Sequence, residues 1–204
     1  MRTVFAALAL LLTSPALAAV PSAATSFVDP VIIGSWDGNS PFSGPQQCGP
    51  VSPGFEVRVL DAANVPVGGA VVTLRFLASR ARPHAAQNAG TLVDCPAAAL
   101  TKRCDANGYV RFDPRIAGYD LGNNVDVVAD GILLRQLPVV SPDLNGDGAM
   151  SLPDFILFSN DYLNPVPQPR TDYNYCLATR LPDYVWFTAQ YIAGVNQPPA
   201  LLCP

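Results

Sequence analysis

Residues 143–154, DLNGDGAMSLPD, place oxygen-bearing side chains at the spacing a calcium ion needs. Calcium is a hard cation that takes six to eight oxygens at about 2.3–2.6 Å, supplied by a loop of about twelve residues from positions 1, 3, 5, 7, 9 and 12. Here those positions are Asp143, Asn145, Asp147, Ala149, Ser151 and Asp154. Ala149 falls where only a backbone carbonyl is required, and Gly148 stands at position 6, where the chain turns sharply. The stretch has no Cys or His, which argues against a tetrahedral zinc site.

The residues after the loop must position it. In FILFSNDYLN, Phe155, Phe158 and Tyr162 recur at i, i+3 and i+7, one face of an amphipathic helix, and Pro153 lies near the first helical position, where its missing N–H costs nothing. The segment before the loop, LRQLPVVSPD, is apolar, β-branched and interrupted by Pro138 and Pro142, so no helix is expected there. The unit is therefore a loop with only its exiting helix, half an EF-hand.

A shift of 29 residues lays this unit over DYNYCLATRLPDYVWFTAQYIA, residues 172–193. Asp143/Asp172, Asn145/Asn174, Leu152/Leu181, Pro153/Pro182, Asp154/Asp183, Phe158/Phe187 and Tyr162/Tyr191 coincide. In the second copy Cys176 replaces the carboxylate at position 5, Leu177 replaces the glycine at position 6, and Arg180 brings a positive charge to position 9. Asp172, Asn174 and Asp183 are thus the remnants of a degenerate loop, expected not to hold calcium, because affinity follows ligand charge and site rigidity. A disulfide between Cys176 and the near-terminal Cys203 is the expected covalent substitute.

With these paired repeats, residues 141–204 resemble the type I dockerin family, which carries two tandem calcium loop–helix repeats. The resemblance implies Asp143, Asn145, Asp147, Ser151 and Asp154 as calcium ligands, a cohesin-type protein partner, and an association with polysaccharide breakdown. It also implies that partner-reading residues lie at loop positions 10 and 11, here Leu152, Pro153, Leu181 and Pro182. Dockerins more usually have small hydroxyl residues there, which puts a standard cohesin in doubt. The simpler reading of the Leu-Pro pairs is structural, with Leu entering the module core and Pro opening the helix.

The N-terminal MRTVFAALALLLTSPALAA, residues 1–19, reads as a secretory signal peptide, with one basic residue, an apolar run and small residues at Ala16 and Ala18. A secreted or surface location follows, in which disulfides form. Of the five cysteines, Cys95 and Cys104 can close a small loop, and Cys48 can also pair with either; the spacing leaves these connectivities open. The net charge of −4, a pI near 4.7 and the single lysine, Lys102, argue against nucleic acid, and no apolar run is long enough to span a membrane.

Residues 20–140 leave room for one domain. FEVRVLDAANVPVGGAVVTLRF alternates Phe55, Val57 and Val59, turns, and resumes with Val72, Leu74 and Phe76, as a pair of strands would. DANGYVRF has a turn at Asn107-Gly108 followed by Val110 and Phe112, and Asp130-Gly131 centres a further hairpin in NNVDVVADGILLRQLPVV. SRARPHAAQNAGTLVDCPAAALTKR has no period and reads as a long exposed loop. The expected fold is mainly β with a small α module: a β-sandwich followed by the loop–helix pair. Asp61, Pro66-Val67, Gly69-Ala70 and Val72 with the downstream DANGYVRF resemble bacterial immunoglobulin-like repeats of invasin-type surface proteins, which implies a spacer or adhesive module.

No catalytic constellation is legible. His84 is the only histidine and lies in ARPHAAQ, a poor place for a rigid base; no GxSxG occurs; and Glu56, the only glutamate, sits in a strand pattern. The expected function is non-catalytic, calcium-dependent docking to a protein partner or to the chain's own β domain. The alternative is a carbohydrate-binding accessory protein of a polysaccharide-degrading system, with Trp36, Phe42 and Tyr119 as an exposed aromatic platform.

Overall fold

The computed structural model describes residues 19–38, 54–174 and 176–204. Residues 1–18 of the expected signal peptide, Phe42 and Cys48 lie outside these. The described chain is mainly β with two helices.

The β body is built from three sheets. Strands β1 (Phe27–Val28), β3 (Phe55–Arg58) and β8 (Tyr109–Phe112) pair in the order β1-β3-β8. A six-stranded sheet runs β2-β11-β10-β4-β7-β6, from β2 (Ile32–Ile33), β11 (Ile132–Val140), β10 (Asp120–Ala129), β4 (Val71–Arg75), β7 (Ala99–Arg103) and β6 (Leu92–Asp94). Strands β5 (Arg82–Pro83) and β9 (Ile116–Ala117) form a short third pair. Alternation places Phe55, Val57, Val110 and Phe112 from the first sheet in one apolar core with Val72, Leu74, Leu100, Val125 and Val127 from the second. Most are wholly removed from water, each such side chain contributing about 1.5–3 kcal/mol.

The strand positions expected around Asp61–Val65 form, but their pairing differs. β3 and β4 belong to different sheets, so the connection crosses the core and closes no hairpin. The reason is that both strands bury their apolar face, and facing sheets satisfy both faces at once. A turn at Asn107-Gly108 likewise joins β7 to β8 across sheets. The Asp130-Gly131 hairpin forms as expected: both residues have positive φ (45° and 84°), and Ala129 pairs with Ile132. Within β11, Pro138 falls in the register break between the Val125/Leu137 and Asp120/Val139 pairs, where a missing N–H is tolerated. The expected long loop of residues 79–103 is instead structured, containing β5 and the β6-β7 hairpin.

Two helices follow, α1 (Leu152–Leu163) and α2 (Leu181–Gly194), each with a proline in its first turn and an aspartate, Asp154 or Asp183, as its third residue. Phe158 and Phe187, equivalent in the repeat, are fully buried and stack face to face at 4.1 Å with 6° between their planes. The helical core does not stand alone. Val31, Ile33, Trp36 and Val140 from the β body share one apolar cluster with Leu144, Met150, Phe158, Tyr173, Trp186 and Phe187.

Candidate functional site

The two loops share one hydrogen-bond frame, repeated 29 residues apart. In the first, the amides of Gly146 and Gly148 donate to Oδ1 and Oδ2 of Asp143, both at 2.8 Å. Asp154 accepts from the Asn145 amide through Oδ1 (3.1 Å) and from the Ser151 amide through Oδ2 (2.9 Å). In the second, Leu177 donates to Oδ2 of Asp172 (2.6 Å), and Asp183 accepts from the amides of Asn174 (3.2 Å) and Arg180 (2.8 Å) through the same oxygens as Asp154. Carboxylates of the last loop position therefore cap the helix that follows, satisfying backbone donors no helical carbonyl can reach.

The frames differ where side-chain chemistry matters. Gly148 has φ +81°, and its equivalent Leu177 has φ +64°, the left-handed region that an L-residue with a branched side chain enters at a cost of about 1–2 kcal/mol. Leu177 can tolerate it sterically because its side chain is 77% exposed. A Cβ at Gly148 would meet the Ala200 carbonyl oxygen at 2.8 Å, since the C-terminal tail crosses there and the Ala200 amide donates to the Gly148 carbonyl.

Charge is concentrated in the first loop. Asp143 and Asp154 are both inaccessible to water. Burial, then the nearby Asp154 charge, pushes Asp143 up to about 7 against the pull of the Gly148 and Gly146 amides. Asp154 is raised as well, chiefly by burial. Asp147 is more exposed, its Oδ1 accepting from the Ala149 amide and its Oδ2 from the Asn145 side chain. Among the described residues no three His, Cys, Asp or Glu side chains converge on one point, and amide donors occupy the carboxylate oxygens. Oxygen donors around two buried acids nevertheless suit a hard divalent cation, which would discharge their mutual repulsion. The second loop also holds two buried acids, Asp172 and Asp183, the latter raised to about 6 by burial and then by Asp172.

Cysteine pairing departs from expectation. Cys203 bonds to Cys95, not Cys176; Cys176 is disulfide-bonded to a different partner, and Cys104 is a buried free thiol raised to about 11 by burial. The physical reason lies in the tail. It runs back over the β body, where Cys203 donates to the Pro83 carbonyl and Leu201 accepts from the Ala85 amide, bringing Cys203 to Cys95. Cys104 points into the apolar core.

Leu152 and Leu181 are also not core residues. They are 61% and 63% exposed on the outer faces of α1 and α2, while Pro153 and Pro182 do open their helices. Trp36 does not form an exposed platform: it is 2% exposed, its amide donates to Gln190 of α2 and its carbonyl accepts from Arg115 Nε. Tyr119 carries the Arg170 guanidinium over its ring and accepts from Arg170 Nη1, while Arg170 also grips Asp161 of α1 through two bonds of 2.6 and 2.8 Å. Glu56 is paired with Arg111 at 3.1 Å.

His84, expected in an exposed loop, is buried. It is 1% exposed, edge-on to Trp36 at 5.2 Å, and held by the Arg115 carbonyl and a bridge to Leu202. Burial, then Arg115, lowers it to about 4, so the ring is neutral near pH 7. Its burial is not legible locally, because its tether is the tail, more than a hundred residues away in sequence. Among the described residues no helix is long and apolar enough to cross a membrane. Neither protein families, curated proteins nor solved structures yield a match to this chain.

Proposed function

We propose that the chain is a secreted, non-catalytic calcium-binding protein in which the first loop holds one calcium ion and the dockerin-like loop–helix pair is a docking module on an immunoglobulin-like β domain. The single observation that carries this reading is the burial of Asp143 and Asp154 side by side in an oxygen-donor loop, with Asp143 raised to about 7. The amides of Gly146, Gly148, Asn145 and Ser151 offset part of the cost of ionising them, and a cation would offset the rest. Asp143, Asn145, Asp147, Ser151 and Asp154 would supply side-chain oxygens and Ala149 its carbonyl. The ion's role is to neutralise and tighten the loop.

One face of the module is engaged within the chain: Trp36, Val31 and Val140 pack on it, and Arg170 joins α1 to Tyr119. Its opposite faces leave Leu152, Ile156, Leu181 and Val185 exposed, about half or more of each surface reaching water. These carry the proposed contact with a protein partner, and association with a polysaccharide-degrading system rests on the dockerin resemblance alone. Limited proteolysis of chelator-treated protein tests the reading. Added calcium is expected to protect residues 143–154 from cleavage; equal cleavage rates with and without calcium would overturn it.

A further inference from the structure

Beyond α2 the C-terminal tail turns back and runs between the first loop and the β5 region. On one side the Ala200 amide donates to the Gly148 carbonyl at 2.6 Å. On the other, the Ala85 amide donates to the Leu201 carbonyl at 2.7 Å, Leu202 bridges to His84, and the Cys203 amide donates to the Pro83 carbonyl at 2.9 Å. Consecutive tail residues thus stitch the loop to the β body, and the Cys95–Cys203 disulfide fastens the end of the stitch.

The fit at the loop is close. A Cβ on Gly148 would lie 2.8 Å from the Ala200 carbonyl oxygen and 3.2 Å from Leu202 Cγ, so glycine at position 6 admits the tail where a larger residue would not. The second loop has Leu177 at the equivalent position, 77% exposed, and among the described residues no tail backbone bond reaches it. The first loop is also held from beneath, where the Gly118 amide donates to the Asp143 carbonyl at 2.8 Å and Arg82 Nη2 to the Gly146 carbonyl at 3.1 Å.

Apart from the disulfide, little anchors the tail. Residues 195–199 and Leu201 are exposed, Ala200 and Leu202 are half-buried, and Cys203 alone is wholly removed from water. Segments with few buried apolar contacts and exposed backbone bonds open at the low end of a protein's range of local stabilities. The covalent tie to Cys95 is what denies the tail that freedom.

Cys95 is partly exposed, so an incoming thiolate meets its sulfur and not that of Cys203. The attacking sulfur bonds to Cys95 Sγ as the bond to Cys203 breaks, and Cys203 leaves as a thiolate and takes a proton. A second thiolate then displaces Cys95, leaving two protein thiols and one small-molecule disulfide; two electrons pass from the thiols to the protein. We propose that Cys95–Cys203 is a thiol-releasable latch: closed, it holds the tail across Gly148 and keeps the first loop ordered; opened by a small-molecule thiol, it frees the tail, loosens the loop and weakens cation binding there. The cation clause rests on the calcium reading; the latch itself does not.

Hydrogen exchange of the full chain in chelator, read by mass spectrometry, tests the latch. In Cys95→Ala/Cys203→Ala, which keeps the Cys176 disulfide, amides of residues 143–151 are expected to exchange at least about tenfold faster while those of residues 172–180 keep their rate. Ala200→Pro deletes the donor to Gly148 with the latch closed, and should speed the same amides by a smaller factor. Reduced glutathione added to the intact chain, with freed thiols alkylated and mapped, should label Cys95 and Cys203 in step with faster first-loop exchange. Calcium should bind the double variant at least about threefold more weakly than the intact chain, because affinity follows site rigidity. First-loop exchange unchanged in either variant, both loops speeding equally, Cys95 and Cys203 left unlabelled by the thiol, or equal calcium affinities would overturn the proposal. An intact chain that binds no calcium would contradict the calcium reading instead, and exchange in chelator still decides the latch.

Discussion

The two loops share the amide bonds to their first and last carboxylates and differ in side-chain chemistry. In the first, Gly148 supplies the left-handed turn without strain, and every ligand position but Ala149, where a backbone carbonyl serves, carries a side-chain oxygen. The second makes the same turn with Leu177 and holds Cys176 in a disulfide, with Arg180 where Ser151 stands in the first. The comparison separates two roles that a calcium loop combines. Capping a helix with a buried carboxylate requires only Asp154 or Asp183 and a few backbone amides; attracting a cation requires the additional acid at position 5 and no cationic side chain at a ligand position.

The largest effect is expected where the repeats meet. Phe158→Ala removes a fully buried ring from the stack with Phe187 and should destabilise by about 3–5 kcal/mol, measured by urea unfolding. Phe187→Ala should cost nearly the same; a difference larger than half of either value would break the symmetry of the pair.

Position 6 gives the next contrast. Gly148→Ala is expected to destabilise by about 1–2 kcal/mol from backbone strain alone, and by more because the new Cβ meets the Ala200 carbonyl. Leu177→Gly relieves the same strain at an exposed site and should stabilise by up to about 1 kcal/mol, since the greater freedom of an unfolded glycine offsets part of the gain. Thermal melts of both variants read the two signs directly.

Much of this was legible in the sequence. The donor spacing and the 29-residue repeat located both loops and both helices, because loop chemistry and helical periodicity are local. Alternation marked Phe55, Val57, Val72 and Leu74 as inward-facing, and Asp130-Gly131 marked its hairpin. Sheet membership was not legible: alternation says which side of a strand is apolar, not which strand lies beside it, so β3 and β4 read as partners. The Cys95–Cys203 bond and the burial of Trp36 and His84 depend on where the tail returns, and no local pattern encodes a contact made 108 residues away.

A smaller effect concerns pH. Burial raises Asp183 to about 6 from an ordinary carboxylate value, so folding favours its protonated form. Its contribution to stability is complete below the ordinary value near 4 and is lost as pH rises through about 6. Asp183→Asn should flatten that decline between about pH 4 and 6, in melts with or without calcium. Asp143, raised to about 7, should give a parallel decline only in chelator, because a bound cation favours its ionised form. Equal calcium sensitivity of the two declines would erase the distinction between the loops.

Calorimetric titration of the chelator-stripped chain with calcium, beside the Asp143→Ala/Asp147→Ala double variant, tests the central claim most directly. One site per chain, abolished in the variant, is the predicted result. Two sites, or no binding by either protein at millimolar calcium, would contradict it.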